Sequence, residues 1–548
     1  MPREMLKQCT ANPTHPVMHS EALARIVRPR QRYAYDLIVQ VGLARYLRNK
    51  QREEIRAELL QQRGINLSNG SISNLCDRFL SYFEALHLIR APYLRAAIEK
   101  QGGYPLHLDA TNDHGKGGLF VCMDGFRGWV LVSGKIPSEH EDHLRPLVEK
   151  TVSLFGHPLS TMRDLMKAGP RTVASIRESG KPDLVCHYHF LGAVGKKLFD
   201  GSYSTLRDML KQSKLRSDCY QLLRELRRPR KSANDESRLD SGRVRDDLLA
   251  LIYWILEGDG KKKPRYPFTL PLLEFFHRCR QAMRLAERWV PVPRTLPEQR
   301  ALQHLGVLMA RVEEEKQFIE VAGQLETSWQ AFCELRDVLR LTNAELPIPG
   351  TRVRPREAPA VEYERLQAIE EATEKYLQRL RCRVGDQDKR KHLTPDAVIL
   401  KYAQSYGDHL FGHPVICNDD GEIIAVAERT NYIAEHFFSV EKQGLRRRLG
   451  KAQLGRDLED QPPQAALVAN LRHDEYIRIL CGSLENLENA FAELDQKALD
   501  DTTPLSRENR VSNLRRRVRA LLEHEVEYPT VLVNTPGIPE IVPTATVV

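Results

Sequence analysis

The sequence predicts a multidomain protein: an all-α N-terminal helix-turn-helix region, an α/β core interrupted by a large α-helical insertion, and a helical C-terminal region. Three observations predict this class. Short β-rich runs broken by Gly, Asn and Asp fill residues 106–136. Helical, charged sequence then occupies most of residues 200–405, and sheet-like sequence returns at residues 414–426.

These changes of texture divide the chain into consecutive segments. They are an irregular N-terminal segment (1–30), the helix-turn-helix region (31–103), the first part of the α/β core (104–200), the helical insertion (201–405), the second part of the core (406–455), a C-terminal helical region (456–528) and a flexible tail rich in Pro, Thr and Val (529–548).

Composition excludes several classes of protein. Lys and Arg number 82 against 73 Asp and Glu, and this unevenly spread surplus of +9 favours a polyanionic partner. The ten cysteines form no CxxC pair, which argues against a disulfide framework or a zinc ribbon. No apolar run approaches the ~20 residues that span a bilayer, and the start of the chain does not read as a signal peptide. We therefore expect a cytoplasmic protein with no membrane partner.

The N-terminal region has the pattern of a helix-turn-helix. Helical sequence at 51–60 is followed by a break at 64–67, and Ser68 then reads as the N-cap of a further helix. The start of that helix would present polar side chains suited to phosphates and base edges. They are Asn69, Ser71, Ser73 and Asn74. The alternative is a three-helix module without DNA contact.

Cys9, His15 and His19 lie close together in the irregular first segment. They offer three potential metal ligands, whereas a structural zinc site needs four ligands in recognised spacings. The sequence leaves open whether they bind metal.

Asp109 ends an apolar strand, where an unpaired buried carboxylate is costly unless it binds a cation or forms a turn. The strand of Asp109 is the first of a three-stranded meander. A helix, a fourth strand ending at Asp164, a short helix at 171–177 and a fifth strand that runs into a helix come after it. The order β-β-β-α-β-α-β-α is that of the ribonuclease H-like fold. In it, strands one and four are neighbours, so Asp109 and Asp164 would face each other.

At three places the chain resembles the DDE transposases of bacterial insertion sequences. The first is the strand Leu106–Thr111 with Asp109, and the second is Asp164 followed by Cys186-His187-Tyr188-His189, similar to the Cys-x-x-His of that family. The third is Thr430-Asn431-Tyr432-Ile433-Ala434-Glu435, which resembles the family's Thr-Asn-Asn-x-x-Glu block. Tyr432 replaces the second Asn of that block, Leu replaces the common Gly after Asp164, and the insertion is long.

The resemblance implies a catalytic triad of Asp109, Asp164 and Glu435 holding two Mg²⁺ (or Mn²⁺) ions. Asp183 rivals Asp164, while Glu428 and Glu441 rival Glu435. The partners would be double-stranded DNA, as element ends and target, and further copies of the chain in a homo-oligomer on DNA. A bacterial, nucleoid-associated location follows from the same resemblance.

Two further sets of residues accompany the triad. Cys186 and His189 are either two zinc ligands or structural residues beneath the active site. Arg446, Arg447 and Arg448 would meet DNA phosphates, unless they are only a solvated run of charge.

The leading hypothesis is therefore a transposase that cleaves the ends of a DNA element and joins them to a target. The alternatives are a non-enzymatic, domesticated or decayed DNA-binding protein, and a ribonuclease H-like nuclease without strand transfer.

Overall fold

The computed structural model describes residues 20–28, 31–111, 118–166, 168–227, 238–258, 265–289, 296–313, 315–341, 358–384, 394–454, 457–494, 496–500 and 502. Cys9, His15 and His19 and the C-terminal tail lie outside the described residues. In the described part of the chain, every helix is too short or too polar to cross a membrane.

Among the described residues, five strands form one sheet and two more form a separate hairpin. The strands are β1 (Pro105–Thr111), β2 (Gly118–Asp124), β3 (Val130–Ile136), β4 (Ser160–Arg163), β5 (Asp183–Val185), β6 (Val415–Cys417) and β7 (Ile423–Val426). The large sheet has the order β3-β2-β1-β4-β5, in which β1 is antiparallel to β2 and parallel to β4. The predicted adjacency of the first and fourth strands is therefore confirmed.

Helices make up most of the rest. They are α1 (Glu21–Ala24), α2 (Tyr35–Gly42), α3 (Arg52–Arg63), α4 (Asn69–Lys100), α5 (Glu141–Phe155), α6 (Gly169–Ala174), α7 (His187–Gln212), α8 (Leu215–Arg227), α9 (Arg238–Glu257), α10 (Pro271–Trp289), α11 (Leu296–Glu313), α12 (Lys316–Val338), α13 (Pro359–Val384), α14 (Pro395–Tyr406), α15 (Tyr432–Leu449), α16 (Asp457–Asp460), α17 (Asp474–Cys481), α18 (Leu487–Ala492) and α19 (Gln496–Asp500). A π-helical turn, Leu43–Leu47, extends α2, and 3₁₀ segments cover Gly407–His409, Pro463–Arg472 and Leu484–Asn486.

The two faces of the sheet carry different elements. Consecutive residues of a strand point to opposite faces, and on β3 the backbone of Gly134 lies against Leu147 of α5, so that an added Cβ would overlap that side chain. On the other face, the Ser133 hydroxyl donates to the carbonyl of Pro463 at 2.8 Å. Ser133 pairs with Val121, which pairs with Asp109. Asp109 therefore lies on the face covered by the 3₁₀ segment and α15.

The N-terminal helices share one hydrophobic core with the sheet. Helix α4 begins at the predicted N-cap, where Ser68 accepts a hydrogen bond from the Ser71 amide at 3.1 Å. From this cap, α4 continues unbroken to Lys100 and passes through Pro92. Proline removes one backbone hydrogen bond, and burial of Leu86, Ala91, Leu94 and Ile98 on the same helix offsets that loss. The first turn of α4, which carries polar residues predicted to contact DNA, thus belongs to a helix whose later turns lie in the core.

The insertion has a hydrophobic core of its own. It is built by α7 to α14 and runs from Val185 to Leu410, and the described residues between α7 and α14 contain helices but no strand. Helix α7 belongs to both parts of the molecule, because it begins at the end of β5 and continues past residue 200 into the insertion. The sheet-like sequence predicted at residues 414–426 forms the hairpin of β6 and β7, which is a separate sheet.

Candidate active site

Asp109 and Asp164 lie side by side at the same edge of the sheet. The parallel pairing of β1 and β4 ends at Leu108 opposite Arg163. The next residue after each of these is an aspartate, Asp109 after Leu108 and Asp164 after Arg163. Neighbouring strands are about 4.8 Å apart. The two carboxylates therefore share one face and one edge of the sheet, as the predicted strand order requires.

Asp109 is almost completely buried, with 6% of its surface exposed. Burial raises the pKa of its carboxyl well above the usual range, and the neighbouring Asp164 and Glu435 carboxylates raise it further, whereas His189 lowers it. One carboxylate oxygen accepts a hydrogen bond from the amide of Ala110 at 2.8 Å. Asp109 is thus a fixed carboxylate beside two others.

Glu435 comes to the same place from the distant part of the chain. It lies in the first turn of α15, where its amide donates to the carbonyl of Asn431 at 3.1 Å. Its side chain is 42% exposed, and burial together with the nearby Asp164 raises the pKa of its carboxyl, although His189 and Arg265 act in the opposite direction. The side chains of the predicted triad therefore converge on one site.

His189 lies between two of these acids. Its Nδ1 is 2.8 Å from Asp164 Oδ1, and its Nε2 is 3.7 Å from Glu435 Oε1. Burial disfavours the charged ring, but the Asp164 carboxylate and the Cys186 sulfur outweigh burial and raise the pKa of His189 to about 12. The imidazole therefore lies between Asp164 and Glu435, within 4 Å of both carboxylates.

Cys186 is completely buried at the N-terminus of α7, directly after β5. Its sulfur accepts a hydrogen bond from the amide of Asn431 at 3.2 Å. One ligand atom each from Asp164, Cys186 and His189 lies within 4.8 Å of the other two, an arrangement that can hold a metal ion. The structure thus adds Asp164 to the two residues that the sequence offered as zinc ligands.

Asn431 makes contacts in the site that the sequence does not predict. Asn431 occupies the N-cap position of α15, but its side chain makes no capping hydrogen bond. Instead, its amide nitrogen donates to the carbonyl of Leu108 at 3.0 Å and to Asp164 Oδ1 at 3.4 Å, while its oxygen accepts from His107 Nδ1 at 3.0 Å. The completely buried Asn431 therefore fixes α15 to β1 and to the second acid.

The rival acids have other partners. Asp183 is buried and forms an ion pair with Arg163, with Nη2 and Oδ2 separated by 2.8 Å. It also accepts from the Thr161 hydroxyl at 2.9 Å. Glu441 is buried beside Arg472, 3.6 Å away. Asp183 thus neutralises the buried Arg163 and Glu441 lies beside Arg472, which leaves Asp164 and Glu435 as the better candidates.

The predicted DNA-binding residues of α4 lie on its first two turns. Asn69 donates to Glu53 at 2.9 Å, Ser73 accepts from Arg52 at 3.1 Å, and the Ser71 hydroxyl is 3.0 Å from that of Ser68. Asn74 is exposed. Their contact with DNA stays a prediction.

The arginine triplet at the end of α15 is not uniform. Arg446 and Arg447 are exposed, and Arg447 is 3.0 Å from Glu54 of α3. Arg448 is buried: its guanidinium lies over the ring of Tyr46 and donates to Gln461 at 3.2 Å. The prediction that Arg448 meets DNA phosphate is therefore corrected, because packing against the N-terminal helices takes this side chain out of solvent.

Comparison with models of known protein families finds no match to this chain. Comparison with curated protein sequences likewise finds no match.

Proposed function

We propose that this chain is a DDE-type DNA transposase with a ribonuclease H-like core, which cleaves the ends of a DNA element and joins them to target DNA. One observation carries the proposal: Asp109, Asp164 and Glu435, which are far apart in sequence, converge around His189 at one edge of the sheet. The sheet order β3-β2-β1-β4-β5 supports it, since the ribonuclease H-like fold has its first and fourth strands side by side.

The donor atoms of this cluster fit Mg²⁺ or Mn²⁺. Hard divalent cations prefer carboxylate oxygens, and within the described part of the chain no lysine or arginine forms an ion pair with the buried Asp109. Asp109, Asp164 and Glu435 would hold the ions. When bound, a pair of such ions makes a water or a 3′-hydroxyl nucleophilic and stabilises the leaving alkoxide.

The protein's own residues keep the three acids in place. The amide of Ala110 orients Asp109, Asn431 holds Asp164, and the first turn of α15 positions Glu435. No side chain is needed as a covalent nucleophile in this chemistry, because attack on phosphorus comes from water or from a DNA hydroxyl.

The same helix that carries Glu435 reaches the proposed DNA-binding region. At its far end, Arg45 donates to the carbonyl of Arg448 at 3.1 Å, and Arg447 is paired with Glu54 of α3. Helix α15 has 18 residues and therefore spans about 27 Å. Exposed Arg446 and Arg447, together with the start of α4, would contact DNA phosphates while the other end of α15 carries the third acid.

The test is cleavage and joining of DNA that carries the inverted repeats flanking the reading frame, in Mg²⁺ or Mn²⁺. We expect nicking and strand transfer by the wild type, and a loss of at least about a hundredfold in Asp109→Asn. The matched control is Asp419→Asn, which changes an exposed aspartate of the β6–β7 hairpin and should retain activity.

Other outcomes of this experiment would contradict the carboxylate mechanism or favour a different function. Equal cleavage by Asp109→Asn and wild type would overturn the carboxylate mechanism. Cleavage without joining would favour a ribonuclease H-like nuclease, and DNA binding without cleavage would favour a non-enzymatic DNA-binding protein.

A further inference from the structure

The candidate active site contains a second set of donor atoms that differs in chemistry from the three carboxylates. It consists of Asp164, Cys186 and His189, whose ligand atoms lie within 4.8 Å of one another. We propose that these three side chains form a site for one thiophilic divalent ion of the zinc class. The inference goes beyond the proposed function and does not rest on it, although both use Asp164.

The donor set selects the class of ion. A thiolate and an imidazole are soft or borderline ligands, which favour Zn²⁺ and Co²⁺ and are poor ligands for Mg²⁺. Three protein ligands with one open position form a common tetrahedral arrangement for zinc. The exposed side of the site, where Glu435 lies, leaves that fourth position to water or to a carboxylate.

The separations of the donor atoms are close to what such an ion requires. Two ligands about 2.05 Å from zinc lie roughly 3.3 Å apart at a tetrahedral angle, and His189 Nδ1 is 2.8 Å from Asp164 Oδ1. This close approach lacks hydrogen-bond geometry, and among the described residues Nδ1 has no hydrogen-bond partner. An ion between these atoms would need them to separate by about half an ångström.

The surroundings of the sulfur suit a thiolate. Cys186 stands at the N-terminus of α7, a helix of 26 residues whose positive end stabilises negative charge. The amide of Asn431 donates to this sulfur at 3.2 Å, so the sulfur is already an acceptor. The side chain of Asn431 also donates to Asp164. One residue of α15 thus supports two of the three ligands, as outer-shell residues do in metal sites.

The spacing of the ligands along the chain also favours binding. Cys186 and His189 are three residues apart at the start of one helix, and residues three apart lie on the same face of a helix. Asp164 follows β4, which is directly paired with β5. Two adjacent strands and one helix therefore hold all three ligands, which limits the rearrangement that an ion requires.

A zinc-class ion at this site has a consequence for the magnesium chemistry. Asp164 cannot orient its carboxylate toward both ions without change. We therefore expect Zn²⁺ to compete with Mg²⁺ for the site.

The experiment is a Co²⁺ titration of the purified full-length protein without DNA or Mg²⁺, followed by absorption spectroscopy. We expect a thiolate-to-cobalt charge-transfer band that saturates near one equivalent and disappears when Zn²⁺ is added. Cys186→Ser should weaken Co²⁺ binding by at least about a hundredfold. Cys9→Ser, which removes the other cysteine that has histidines near it in sequence, should keep the band.

Two further measurements keep the outcomes separate. Asp109→Asn should keep the cobalt band, because Asp109 is not one of the three ligands. A wild-type protein that binds Co²⁺ but cleaves no DNA would refute the proposed function and leave the zinc-class site in place. X-ray absorption of the zinc-loaded wild type should show one sulfur ligand per zinc, even if Cys186→Ser fails to fold. A zinc shell without sulfur, or a cobalt band that persists in a folded Cys186→Ser variant, would overturn the site.

Discussion

Two aspartates on neighbouring strands have opposite surroundings. Asp183, on one face of the sheet, is neutralised by Arg163 and accepts a hydrogen bond from Thr161. Asp164 follows Arg163 directly, so its side chain lies on the other face, beside Asp109. There it contacts the imidazole of His189, which is also close to Glu435. Both are aspartates at strand ends: Asp183 begins β5, and Asp164 follows the last residue of β4. The comparison teaches that a charge paired within the protein maintains the fold, whereas carboxylates that crowd together are available to an external cation.

The largest effect on the free energy of unfolding should follow from Asp183→Ala. This change leaves the completely buried Arg163 without its counter-charge, and breaking a buried ion pair typically costs about 3–5 kcal/mol. Denaturant unfolding followed by circular dichroism measures the loss. Asp419→Ala, at an exposed position, is the control and should change stability by less than about 0.5 kcal/mol. A small change in the free energy of unfolding in Asp183→Ala would mean that Asp183 is not a structural charge and does not differ from Asp164 in this respect.

Asn431→Ala should have the next largest effect, and it acts on both stability and activity. The variant leaves the buried carbonyl of Leu108 and the ring of His107 without partners, at a cost of about 1–3 kcal/mol each. It also frees Asp164. The free energy of unfolding and the rate of metal-dependent cleavage should therefore both decrease. Full cleavage activity in a destabilised Asn431→Ala protein would show that Asn431 serves the fold alone.

His87 is a buried group that is neutral at pH 7, in contrast to the buried, charged Asp183, and it makes stability depend on pH. Burial lowers the pKa of His87 to about 4, although its bond to the carbonyl of Leu131 acts in the opposite direction. Because the folded-state pKa is below the unfolded value of about 6.5, the stabilisation is complete above pH 6.5 and is lost as pH falls toward 4. On the order of 2 kcal/mol should be lost between pH 7 and pH 5.

Unfolding curves at several pH values test this. The slope should flatten in His87→Asn. His140→Asn, which changes an exposed histidine, should leave the slope as it is in the wild type. An unchanged slope in His87→Asn would assign the acid sensitivity to other groups.

The smallest effect, with the opposite sign, should follow from Asp109→Asn. Removing this charge relieves a desolvated carboxylate and its repulsion by two others, while the side chain keeps nearly the same shape. We expect a stability that is unchanged or increased by up to about 1 kcal/mol, measured by the same unfolding assay. A destabilisation as large as that of Asp183→Ala would mean that Asp109 is a structural charge.

The sequence was informative wherever a local pattern decides the structure. Asp109 and Asp164 could be paired because strand order follows from the succession of β and α segments, and Ser68 could be placed because capping is local. Glu435 required the resemblance of a short block, since nothing in the spacing of its helix distinguishes it from Glu441.

What the sequence could not supply depends on distant contacts. Arg448 looks like its two neighbours in sequence, yet Tyr46 and Gln461, from two other parts of the chain, enclose it. The bonds of Asn431 to β1 and to Asp164 likewise join positions that no local pattern connects. Proline disfavours the interior of a helix, yet α4 continues through Pro92, because tertiary packing overrides that local preference.

The place where the helical insertion leaves and rejoins the core has a consequence for evolution. The amide of His187 donates to the carbonyl of Arg429 at 3.1 Å, and the ring of His187 donates to Leu410 at 2.5 Å. The two ends of the insertion are therefore fastened together beside the acids, independently of what lies between them. Each doubling of an inserted length adds only about 0.6 kcal/mol of loop-closure entropy. The length of the chain between these contacts can therefore change at a modest entropic cost while the contacts beside the acids stay the same.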